Sequence, residues 1–153
     1  MTIARFLYLV ALLALCGATY AEPPDACAIL SVAEINGVAG GAVAKVQTRK
    51  SGNPSECAFL DARQGAVVVI SIREVKYAAE NELQYERENL EKIYRAKAKW
   101  LTSVGENAFW LNANKQLAFR KGKMIVSVIF SRPKNQNEVE TAQMARLIDS
   151  KLP

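Results

Sequence analysis

Histidine is absent from this 153-residue chain. Its absence removes every Ser-His or Cys-His nucleophile pair, every histidine metal site and the commonest proton shuttle near neutral pH. Cysteine is scarce. Three cysteines cannot form a four-thiolate zinc or iron–sulfur site, and no Cys-x-x-Cys spacing is present to lower a thiol pKa. Nucleotide fingerprints are missing as well. Gly37-Val38-Ala39-Gly40-Gly41 has neither the G-x-G-x-x-G nor the G-x-x-x-x-G-K-[ST] spacing. Ser131-Arg132-Pro133-Lys134 matches Ser-x-x-Lys by letters only, without the companion elements of that chemistry. Asp25, Asp61 and Asp149 are too scattered for a calcium loop. No catalytic residue, metal ligand or cofactor is therefore expected. A carboxylate pair assembled only in space remains compatible with the sequence.

Long apolar runs are lacking too. The longest candidate, Phe6 to Cys16, has 11 residues, too few to span a bilayer but right for the apolar region of a secretory leader. Arg5 precedes it, Thr19-Tyr20-Ala21 offers a small-x-small cleavage site, and Pro23-Pro24 stop any helix from continuing. Residues 1–21 are read as a signal peptide and 22–153 as one domain. The product is then exported, periplasmic or secreted, with no transmembrane span in the mature chain. Leu13-Ala14-Leu15-Cys16 partly resembles a lipoprotein box, which gives lipidation at Cys16 as the alternative. Removal of the leader leaves Cys27 and Cys57, an even pair in an oxidising compartment, which are expected to form a disulfide. Closing a loop of that size contributes on the order of 3–4 kcal/mol in the chain-entropy model. Two buried free thiols are the alternative.

Basic side chains outnumber acidic ones 20 to 15, and one of the 20, Arg5, belongs to the leader. This mild excess suits an anionic surface or an acidic partner, and nucleic acid is not expected in that compartment.

Periodicity supplies the elements. Ser31 and Glu34 form a capping box before a short helix whose apolar face is Val32, Ile35, Val38 and Ala39, closed by Gly40-Gly41. Strands follow at 42–48, 56–62 and 66–72, the last apolar enough to be covered on both faces. A helix from Ala78 to Trp100, roughly 35 Å long, has Leu83, Leu90, Ile93 and Tyr94 as its inward stripe. Its acids precede its bases, with Glu88–Lys92 and Glu91–Arg95 as candidate pairs. Arg95, Lys97 and Lys99 are the candidate binding residues at its end. Strands at 108–112, 116–120 and 123–130 and a helix at 138–152 complete the chain, with Lys121-Gly122 as a hairpin turn. That helix carries Thr141, Met144, Ala145, Ile148 and Leu152 on one face. Trp100, Phe109 and Trp110 are either core or a binding surface. The order α-β-β-β-α-β-β-β-α with hairpin connections predicts an α+β fold, an antiparallel sheet with helices packed on it. The run from Ala58-Phe59 to Ile72 is echoed by Ala118-Phe119 to Phe130.

Cys27-Ala28-Ile29-Leu30-Ser31, Cys57-Ala58-Phe59, Val104-Gly105-Glu106-Asn107-Ala108-Phe109-Trp110 and Leu117-Ala118-Phe119-Arg120-Lys121-Gly122 together resemble a broad group of bacterial exported proteins and lipoproteins of unknown function. The resemblance implies a helix-to-strand cystine and a fold like that of PsbP, the extrinsic photosystem subunit. It implies no catalytic residues. The resulting expectation is an exported, non-enzymatic domain that binds another protein as inhibitor, immunity factor or accessory subunit. The alternatives are an envelope-surface binder that uses its basic helix on anionic polymer or headgroups, and a hydrolase with a carboxylate site.

Overall fold

The structure, a computed structural model, describes residues 22–131 and 137–153. The expected leader with Cys16, and Lys134 of the Ser131–Lys134 pair, lie outside the described residues. Helix α1 (Val32–Ala39) is followed by β1 (Lys45–Lys50), β2 (Ser55–Leu60) and β3 (Ala66–Glu74). Helix α2 (Ala79–Tyr94) leads to β4 (Lys99–Leu101), β5 (Asn107–Leu111), β6 (Gln116–Lys121) and β7 (Met124–Phe130), and α3 (Glu138–Lys151) closes the chain. The expected α+β order is present, with the three-residue β4 in addition.

All seven strands form one antiparallel sheet in the order β1-β2-β3-β7-β6-β5-β4. Its centre is the β3–β7 pair, registered from Val68↔Phe130 to Glu74↔Met124. The two hairpins that echo each other in sequence meet there, each with its more apolar strand inside. Phe59 faces Val68 in one and Phe119 faces Val126 in the other, and both phenylalanines are fully buried.

Strand alternation divides the core. Phe59, Ile70, Val128, Leu117, Phe119 and Trp110 point to one face, where α1, α3 and the N-terminal segment cover them. Phe109, Leu111, Ala118 and Ile125 point to the other, beneath Ala79 and Leu83 of α2. Helix α2 packs on β5, β6 and β7. Accordingly Val69 and Ser71 of β3 are only half-buried, and that strand is not fully covered on both faces as its composition suggested. A polar tether holds α2 in place. Arg73 of β3 reaches Glu86 at 2.9 Å and Glu82 at 3.6 Å, while buried Gln116 donates to Glu86 at 3.1 Å and to Ser127 at 2.8 Å.

The helix ends follow the local chemistry. Ser31 Oγ accepts from the Glu34 N–H, Glu34 accepts from the Ser31 N–H at 2.8 Å, and Gly40 ends α1 in the left-handed conformation at φ 72°. Val32 is half-exposed, so the buried face of α1 is Ile35, Val38 and Ala39. All five expected apolar positions of α3 are buried, and Asn137 caps it by accepting from Val139 N and Glu140 N. Cys27 and Cys57 form a disulfide with a Cα–Cα distance of 5.1 Å that pins the N-terminal turn to β2, next to a bond from Ala26 N–H to buried Ser55 Oγ. The β6–β7 turn is Gly122-Lys123, because Lys121 pairs with Met124. The starts of β3 and β6 and the end of β7 fall where expected, and the other strand limits differ by one to three residues. Among the described residues no helix is long and apolar enough to cross a membrane.

One contact welds the loop before β5 to the sheet. Gly105 has φ 55°, and a Cβ there would lie 2.5 Å from the Arg120 carbonyl oxygen and 2.8 Å from the Phe119 ring. Gly105→Ala should therefore lower stability by about 2–3 kcal/mol through strain and overpacking. A denaturant midpoint unchanged from the parent would contradict this packing.

The Lys151 ammonium, 2.6 Å from Glu34, with the Ser31 N–H and hydroxyl in support, lowers the Glu34 pKa from 4.5 to about 2. A depressed carboxylate contributes stability that is complete above its unfolded pKa and is lost as pH falls through the folded value. The α1–α3 tie should hold at pH 5 and weaken between about 4.5 and about 2. Lys151→Met should shrink that acid-dependent component in equilibrium unfolding followed against pH.

Candidate functional site

The sequence suggested that α2 would run on to Trp100, but it stops at Tyr94. Arg95 takes the left-handed conformation (φ 51°, ψ 39°) and donates its N–H to the Glu91 carbonyl. The Glu91 carboxylate then gathers the chain that leaves the helix. It accepts the Ala98 N–H at 2.9 Å, Arg87 Nη1 at 3.0 Å and Lys97 Nζ at 3.4 Å. Its side chain is only 11% exposed. The Ala98 N–H holds its pKa below the ordinary carboxylate value, against the cost of desolvation, and the Arg87 and Lys97 charges add to the effect. This turn reverses the chain and lets Lys99–Leu101 pair with β5.

The shortened helix changes its pairing and its face. Glu88–Lys92 and Glu91–Arg95 do not form, because Arg87 takes both acids, Glu88 at 3.6 Å and Glu91 at 3.0 Å. Ile93 and Tyr94 are 70% and 45% exposed and are not part of an inward stripe. Ile93 lies about 80° around the helix from Leu83 at 100° per residue, and Tyr94 sits on the last turn. Leu83 alone of the expected four is fully buried, with Leu90 partly so.

Trp100 is the one tryptophan left accessible, at 48%, while its strand neighbours Phe109 and Trp110 are buried. It stands edge-on to Phe109 with ring centroids 6.3 Å apart, and the Arg87 guanidinium lies 5.1 Å from its centroid. Such stacking fixes an exposed ring at an energy of about 0.5–1 kcal/mol. Hollows flank this stack along one side of α2. The larger, about 560 Å³, is lined by Arg87, Glu88, Glu91, Lys92, Arg95 and Lys97 among others. The smaller, about 160 Å³, is lined by Glu80, Leu83, Gln84, Trp100 and Asn107.

Of the three candidate binding residues, the fold brings Arg95 and Lys97 together in the larger hollow. Lys99 points to the opposite face of the sheet and pairs with Glu138 at the start of α3, at 2.7 Å. Lys97 pairs with Glu91, whereas among the described residues Lys92 and Arg95 have no acidic partner. Arg87 and Glu91 were not singled out from sequence as a site. Their four-residue spacing was a usable signal, although the acid-first order of the rest of the helix pointed elsewhere.

Replacement of Glu91 by Ala should release the turn at 95–98 and the Arg87 stack. The expected signs are faster amide exchange at Ala98 and red-shifted, more quenchable Trp100 emission, with Glu91→Gln intermediate because its carbonyl still accepts the Ala98 N–H. Unaltered exchange at Ala98 would show that Glu91 does not set this geometry. No protein-family model matches the sequence, and no curated protein matches it either.

Proposed function

We propose that the chain is an exported, non-enzymatic domain that binds another protein, in an inhibitory, immunity or accessory role. The observation that carries this reading is Trp100, half-exposed on a terminal strand and held by Arg87 beside a basic hollow. Tryptophan and arginine are the residues most often responsible for binding energy at protein interfaces, and a ring already fixed loses little entropy on docking. The intramolecular cystine supports export, since such bonds persist in oxidising compartments. The resemblance to bacterial exported proteins and lipoproteins with a PsbP-like fold belongs to the same reading. Glu34 and Glu91, whose carboxylates are held below their ordinary range, serve a helix cap and a turn.

A second reading is favoured by Lys92 and Arg95, whose charges no carboxylate neutralises among the described residues. It is contact with an anionic envelope polymer or with lipid headgroups. Salt distinguishes the two, because exposed charge contacts are screened within about 10 Å at 0.1 M.

The test is affinity capture from envelope and secreted fractions of the source, with tagged protein, at low and at moderate salt. A stoichiometric protein that survives moderate salt is the expected result. Recovery of salt-labile, non-stoichiometric material alone would replace protein binding by the envelope surface.

A further inference from the structure

We infer that the free edge of β4 accepts an extended, acidic segment of a partner protein as an added strand, with Trp100 as its anchor. This rests on the protein-binding reading above and specifies its chemistry. β4 is the last strand of the sheet and, among the described residues, pairs only with β5. Its outer backbone groups are therefore turned away from any partner strand. An incoming strand satisfies such groups, and alternate side chains of that strand then meet the two faces of the sheet. The other edge, β1, is exposed along its whole length and carries Lys45, Arg49 and Lys50 without an aromatic ring.

A strand of three residues offers too few backbone bonds to hold a partner alone, so side chains must supply the rest. Trp100 lies on the α2 face of β4, so a residue added beside it extends the Arg87–Trp100–Phe109 stack. An apolar or aromatic residue fits this place. The charge of the neighbouring hollow gives the remaining specification. Arg87, Lys92, Arg95 and Lys97 outnumber Glu88 and Glu91 there, and Glu91 is already committed to three donors. A basic segment would meet uncompensated repulsion from Lys92 and Arg95, whereas an acidic one neutralises them. Lys99 stays with Glu138 and takes no part.

The probes are three labelled ten-residue peptides: an alternating Glu/Val sequence with a central Phe, its Lys-for-Glu counterpart, and the acidic peptide with alternate amides N-methylated. They are titrated into the purified protein, expressed as the full chain, by fluorescence anisotropy. The acidic peptide should bind at least tenfold more tightly than the basic one and should lose at least tenfold on N-methylation. Trp100→Ala should abolish binding, and the double variant Lys92→Glu/Arg95→Glu, which alters only exposed side chains, should reverse the charge preference. Equal binding of acidic and basic peptides, or indifference to N-methylation, would overturn the inference. Binding of phosphatidylglycerol vesicles without peptide binding would replace the strand by an anionic surface. If a stoichiometric partner is captured equally by the Trp100→Ala protein, protein binding stands and the β4 edge is the wrong site. If neither a partner nor a peptide binds, both fail.

Discussion

The pairing of β3 with β7 is the constraint on which the molecule depends. Seven consecutive pairs join two strands that lie far apart in sequence, and one face of each is almost wholly apolar. Once these strands are central, the chain must place β1 and β2 on one side and β6, β5 and β4 on the other. The connection from β3 must then travel from the middle of the sheet to its far edge. Helix α2 makes that crossing, and its 16 residues, about 24 Å at 1.5 Å per residue, lie over β5 to β7. The cystine and the α1–α3 tie act on the opposite face and close the main core.

The crossing also creates the candidate site. Here Glu91 draws Ala98 and Lys97 back toward the helix while Arg87 bridges from the same carboxylate to the Trp100 ring. One largely covered carboxylate thereby couples the end of α2, the start of β4 and the posture of an exposed aromatic ring. The remaining cations of the helix end, Lys92 and Arg95, are left facing the hollow because the acids that would pair with them are already engaged. The basic character of this region is thus a consequence of competition among ion pairs rather than of composition alone.

Local rules made much of the fold legible. The capping box at Ser31 and Glu34, the glycine stop at Gly40 and the buried face of α3 depend on residues within a few turns of one another. The cystine was legible because Cys27 and Cys57 are the pair that remains once residues 1–21 are read as a leader. The site was legible in part. The fold gathers Arg95 and Lys97 at the turn after α2, whereas Lys99 begins β4 beyond that turn and, opposite in direction to its neighbour Trp100, points to the α3 face.

The sequence by itself determined the α+β class, the two hairpins, the caps and the apolar strands that seek each other. Those features follow from periodicity and short-range hydrogen bonding, which act before any tertiary contact exists. Only the tertiary structure decided that α2 stops at Tyr94, that Lys99–Leu101 becomes an edge strand and that Trp100 stays accessible. Helix propensity through residues 95–100 is respectable, so nothing local forbids six more helical residues. What overrides it is long-range: the backbone of β5 offers β4 a ladder, Phe109 offers Trp100 a ring contact, and Glu91 satisfies the turn between them. Each of those partners is brought within reach only by the packing of α2 on the sheet.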